Sequence, residues 1–153
     1  MCRKKEYEVA LSKADKDRVY NMPEAGKVYN YLEDIVEEIK GDGFVCRGTM
    51  GELYLVPLSK ADVYDVDVAS VGSDWVTVCT RPQARVYFCR KIEGTSDIHT
   101  PAGVMHANRD GVAHGEGDRV LCSAIETAEG YVPDEADCWV VNGLVFERTY
   151  TIL

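Results

Sequence analysis

The chain has 153 residues, of which 46% are apolar and 28% charged, a balance that fits a folded domain with a buried core and speaks against disorder. Its formal charge of −9, with Arg3-Lys4-Lys5 as the one short basic run, repels a phosphate backbone, so a basic protein partner is expected and direct nucleic-acid binding is not. No stretch approaches the roughly 18 apolar residues of a membrane span, and the N-terminal segment lacks the apolar core of a signal peptide, which gives a cytoplasmic expectation with no membrane association.

Ser12-Lys13-Ala14-Asp15 resembles a capping box and predicts a short helix to about Asn21. Pro23 and Glu24 then open a segment with Val28, Leu32, Ile35, Val36 and Ile39 at helical spacing, stopped by Gly41, which predicts an amphipathic helix over about 24–40. Glu33, Asp34, Glu37 and Glu38 form its outer face, read first as solvated and second as a partner-docking face. Beyond Gly43 the period changes to two. Residues 44–47 and 52–57 flank Gly48-Thr49-Met50-Gly51 as a hairpin, 63–71 alternates Val or Tyr with Asp as an edge strand, and 75–80 and 84–92 read as further strands. Shorter strands are expected at 98–107, 112–114, 119–125 and 138–141, and Asn142 or Gly143 can start a short C-terminal helical turn. The expected fold is α+β in a single domain. In it the 24–40 helix packs on an antiparallel sheet (1–72 as helix plus hairpin), and a β-rich portion (73–153) is able to curl into a partial barrel. The pentapeptide Leu-Ser-Lys-Ala-Asp occurs at 11–15 and again at 58–62, with nothing repeating around it.

Six cysteines carry no CxxC pair with zinc-knuckle spacing. Without an oxidising compartment they are expected as thiols, with Cys46, Cys79, Cys89, Cys122 and Cys138 packed as small hydrophobes in or beside apolar runs.

All three histidines, His99, His106 and His114, fall within sixteen residues, and two belong to a tandem octapeptide, Gly103 to Asp110 and Gly111 to Asp118. Imidazole chemistry is therefore confined to this segment. Asp110-Gly111 predicts a two-residue turn that pairs His106 with Gly115 and sends His106 and His114 to opposite faces, so no shared metal and no cofactor is expected. A three-residue loop is the alternative that would bring them together. Pro101-Ala102-Gly103-Val104-Met105-His106 is similar to the second metal motif of cupins, but no histidine precedes His99 to supply the first. Cys122 or Ser123 with His114 and Asp118 can be assembled into a nucleophile and base, though no nucleophile elbow surrounds Ser123. Gly115-Glu116-Gly117-Asp118 reads as a tight turn rather than a phosphate loop. Asp65, Asp67, Asp110, Glu116 and Asp118 could ligate a hard cation, but no EF-hand loop frames them and loop carboxylates are usually just hydrated.

From His99 onward the order Thr-Pro-x-Gly-Val-Met (100–105), Gly-Asp-x-Val-Leu (117–121), Asp-x-Trp-Val-Val (137–141) and Val-Phe-Glu-Arg-Thr-Tyr (145–150) resembles the small PGDYG-type domains of uncharacterised bacterial and phage-associated proteins. The likeness covers about the last 55 residues. Ala136-Asp137-Cys138-Trp139 stands where that family has Gly-Asp-Tyr-Gly, and the loop 126–135 is longer; the resemblance implies no reaction. In the same segment Phe146 and Tyr150 form an i,i+4 aromatic pair with Trp139 nearby, either a packed lid or an aromatic ligand pocket. The functional expectation is a non-enzymatic interaction module with an acidic surface. The alternative is a small-molecule or metal-dependent enzyme using His106 or His114 with Asp118 in the 99–114 region.

Overall fold

The computed structural model describes all of residues 1–153 and is built mostly from strands. In chain order these are β1 (Cys2–Lys4), β2 (Glu8–Lys13), β3 (Lys27–Asn30), β4 (Ile35–Glu38), β5 (Gly43–Arg47), β6 (Leu53–Pro57), β7 (Val76–Cys79), β8 (Val86–Lys91), β9 (Ser96–Thr100), β10 (Gly103–Ala107), β11 (Arg119–Thr127), β12 (Gly130–Val141) and β13 (Tyr150–Ile152). The one α-helix is α1 (Gly143–Thr149). The chain packs as two compact units, one of residues 6–81 and one of residues 1–5 with 82–153. The first unit is thus inserted in sequence between β1 and β8.

In the 6–81 unit an antiparallel sheet runs in the order β6-β5-β2-β7. Four consecutive residues of β5, Gly43 to Cys46, are buried, because both faces of this central strand are covered. Phe44 and Cys46 join Val9, Leu11, Val56 and Val78 on one face, and Val45 meets Val28 and Leu53 on the other. Val28 comes from the β3–β4 hairpin, which occupies the stretch expected as the 24–40 helix, so the helix-on-sheet α+β architecture is replaced by an all-but-helix-free β arrangement. The five apolar residues at helical spacing also suit a strand, since Val and Ile are β-branched and Val28 and Asn30 alternate inward. Local polar chemistry closes the turn: buried Asn30 accepts from the N–H groups of Leu32 (3.1 Å) and Glu33 (3.4 Å), and Asp34 adopts φ 54°. Ile35 and Val36, two members of the supposed apolar stripe, are exposed.

Two further expectations in this unit change. Ser12 and Lys13 finish β2 rather than open a helix, and Asp15 accepts from Asp17 N–H (2.9 Å) in a tight turn. The alternating 63–71 segment is not an edge strand; 3₁₀ turns at Leu58–Val63 and Val68–Ser70 carry Ala61, Tyr64 and Val71 inward beneath the sheet.

The other unit is an antiparallel sheet in the order β12-β11-β8-β1-β13. It ends on two edges and is no barrel. Cys2, Tyr87, Leu121, Phe146 and Tyr150 make its core, with Cys89, Trp139 and Val141 packed against them. The C-terminal helix forms where expected: the Asn142 side chain caps it by accepting from Leu144 N–H (3.0 Å) and Val145 N–H (3.2 Å). The expected strand 98–107 is two strands, β9 and β10, paired with each other, and 112–114 is not a strand. The Asp110-Gly111 hairpin does not form. Cys122 and Cys138 are joined in a disulfide, which corrects the expectation of thiols for these two; Cys2, Cys46, Cys79 and Cys89 remain free. No helix is long and apolar enough to cross a membrane.

Candidate functional site

The three histidines divide between two settings. His106, on β10, stands directly across from Asp97 on β9, and its Nδ1 lies 2.5 Å from the Asp97 carboxylate, with both side chains more than half exposed. His99 is exposed on the same hairpin. β10 pairs only with β9, so the barrel lumen into which a cupin histidine projects has no counterpart here.

His114 is 15% exposed and Asp118 5%. The ring Nδ1 is 2.6 Å from Asp118 Oδ1, and Nε2 is 2.6 Å from the Arg109 carbonyl oxygen. The Asp118 carboxylate also accepts from the backbone N–H of Asn108 (2.8 Å) and of Gly143 (2.9 Å), and Asp118 N–H donates to Asn108 Oδ1 (2.7 Å). Asn142 reaches the same knot, donating from Nδ2 to the Ala113 carbonyl (2.9 Å). Gly143 is required by space: a Cβ there would lie 1.8 Å from the His114 carbonyl oxygen. His114 and Asp118 are thus brought together as the sequence suggests, but every polar edge of the pair is turned to a protein group. They staple the 108–118 loop to the start of α1. No group of three His, Cys, Asp or Glu side chains converges as ion ligands, and the carboxylates Asp65, Asp67, Asp110 and Glu116 form no such group.

The nucleophile candidates lie elsewhere. Cys122 is tied up in the disulfide. Ser123 is buried; its hydroxyl donates to Asp137 and accepts from Arg85 Nη2 (2.7 Å), not from His114. Of the aromatic candidates, Phe146 and Tyr150 are buried and stacked with centroids 5.2 Å apart, and the half-buried Trp139 sets its ring edge-on to Tyr87 at 5.5 Å. These contacts make the cluster a core. A groove of about 560 Å³ lies in the 6–81 unit, where Lys13, Lys16 and Lys40 alternate with Asp15, Asp17 and Asp42 and favour neither sign of ligand.

The stretch 126–135, expected as a loop, instead carries the end of one long strand and the start of the next. β8 pairs with β11 only as far as Ser123 opposite Tyr87, whereas β11 and β12 continue together to Thr127 opposite Gly130. Residues 124–127 and 130–133 therefore form a two-stranded arm with no third strand. Ile125 lies directly across from Val132, and Glu126 across from Tyr131. Ile125, Tyr131 and Val132 are 46%, 48% and 43% exposed, on both faces of the ribbon. Between Arg119 and Arg148 the chain carries six acidic residues and no Lys or Arg. At the base of the arm the pairing shifts, since Cys122 opposes Cys138 while Ser123 opposes Asp134, so residues 135–137 are looped out. The disulfide and the Arg85–Ser123–Asp137 contact sit at that break. The available signal was Ile125 and Val132 placed symmetrically about Thr127-Ala128-Glu129-Gly130; nothing in the sequence marks Arg85 as a partner of Ser123. No family model, curated protein or solved structure matches the chain.

Proposed function

We propose that the chain is a non-enzymatic binding module that captures an extended, basic segment of a partner protein along the β11–β12 arm, with the cytoplasm as its compartment. The observation that carries this reading is the pairing of exposed apolar side chains with a one-sided charge. Ile125, Val132 and Tyr131 offer the alternate contacts an added strand needs, while residues 124–127 lack a strand partner on the β8 side. Glu126 and Glu129 at the tip select Lys or Arg. A second copy of the same arm is disfavoured by its own acids and by the net charge of −9. The engagement of His114 and Asp118 within the fold supports the non-enzymatic half of the proposal.

An NMR titration with a peptide of alternating Lys and Val tests this. Saturable amide shifts confined to residues 124–134, weakened by salt and absent for the matching Glu-Val peptide, are expected. Shifts centred elsewhere, or none at millimolar peptide, would overturn it.

A further inference from the structure

We infer that the Cys122–Cys138 disulfide is a reducible clasp, a site of thiol–disulfide exchange with a dithiol reductant that sets whether the β11–β12 arm is held in its ordered form. The two residues face each other across β11 and β12 with Cα atoms 4.2 Å apart, and the ring they close contains the whole arm. The bridge lies where the register shifts: Cys122 opposes Cys138 while the next residue, Ser123, opposes Asp134, so residues 135–137 of β12 are looped out on the arm side of the disulfide. Beyond that point the arm is a two-stranded ribbon with exposed side chains on both faces, a structure of marginal stability by itself. A second tie at the base, Ser123 to Asp137 and Arg85, involves two side chains that are more than half exposed, and Cys138 Sγ lies 3.4 Å from the Asp134 carbonyl oxygen.

The chemistry balances with an external dithiol. One thiolate of the reductant attacks a disulfide sulfur, the Cys122–Cys138 bond breaks, and a mixed disulfide forms. The second thiolate of the reductant then displaces the remaining cysteine; Cys122 and Cys138 take up two electrons and two protons as thiols, and the reductant leaves as its disulfide. Both cysteines are half-buried beside exposed Glu135, Ala136 and Asp137, which leaves an approach from solvent. The chain's own Cys2 does not perform this exchange: it sits in the core with Leu121, on the face of the sheet opposite the neighbouring Cys122. Burial also pushes the Cys2 thiol up to about 12, so it supplies little thiolate.

The inference rests on the arm as the binding element, yet its test reads the arm without any partner. Amide hydrogen exchange is followed in the oxidised protein, after reduction with dithiothreitol, after reoxidation, and in the C122S/C138S double variant. Exchange at residues 124–133 should accelerate by about tenfold or more on reduction and in the variant, with β8, β1 and β13 unchanged and protection restored on reoxidation. Unchanged arm exchange after reduction, a disulfide that resists dithiothreitol in the folded protein, or loss of protection throughout the sheet would each overturn the clasp. If the arm loosens as described but the Lys-Val peptide binds neither form, the clasp stands and the binding reading fails.

Discussion

Asp118, a candidate base in the sequence, is tied into the fold through both carboxylate oxygens. The sequence offers His114 and Asp118 among several possible catalytic pairs, and the structure sets His114 Nδ1 2.6 Å from the Asp118 carboxylate. Asp118 satisfies the N–H groups of Asn108 and Gly143, and His114 spans from Asp118 to the Arg109 carbonyl. Asp118→Ala would leave two backbone donors and the buried ring without their acceptor, at a cost on the order of 3 kcal/mol or more. Chemical denaturation should show that loss, with Asp118→Asn falling between. A stability change below about 1 kcal/mol would instead mean that the pair is not holding the loop. What escaped the sequence was the third party: Gly143, 25 residues away from Asp118, carries no mark that its missing side chain makes room for the His114 carbonyl.

At the scale of elements, local pattern served well where a turn residue and a period agreed. The hairpin about Gly48 to Gly51, the strand near 84–92 and the helix capped by Asn142 are all present. It failed where burial from distant strands decided the matter. Leu-Ser-Lys-Ala-Asp is strand at Leu11 to Lys13 and 3₁₀ helix from Leu58 to Asp62, so the five residues themselves select neither state. The 24–40 segment failed for the same reason: Val28 is drawn onto Val45 and Leu53, and Asn30 fixes the turn. Asn30→Ala removes the acceptor for Leu32 and Glu33 and should destabilise the protein by about 1–2 kcal/mol in urea. If the segment preferred a helix, the same substitution would be neutral or stabilising, since Ala is the better helix former.

For the molecule as a whole, the decisive long-range event is that β1 pairs with β8 and β13, at opposite ends of the later sequence. No periodicity announces it; a three-residue strand has too few positions to show one. Both units also hold ionisable groups that burial keeps protonated. Cys2 is raised from 9.0 to about 12, Cys46 from 9.0 to about 11, and Tyr7 from 10.0 to about 12. The unfolded chain releases these protons first, so above about pH 9 it binds fewer protons than the native state and stability falls as pH rises. The contribution is intact below pH 9 and is lost progressively towards pH 11–12. Urea midpoints for the reduced protein at pH 8 and pH 10.5 should show that decline, and equal midpoints would contradict the burial of these groups.

The claim on which the functional account turns is that exposed Ile125 and Val132, not the histidine segment, meet the partner. Affinity for the Lys-Val peptide should therefore be measured by calorimetry for the native chain, for Ile125→Lys/Val132→Lys and for His106→Ala, with denaturation midpoints as controls. Replacing the apolar pair by like charges should weaken binding by about tenfold to a hundredfold, a loss of roughly 1.4–2.7 kcal/mol, while His106→Ala leaves it unchanged. Unaltered affinity in the arm variant, or a loss confined to His106→Ala, would contradict the account.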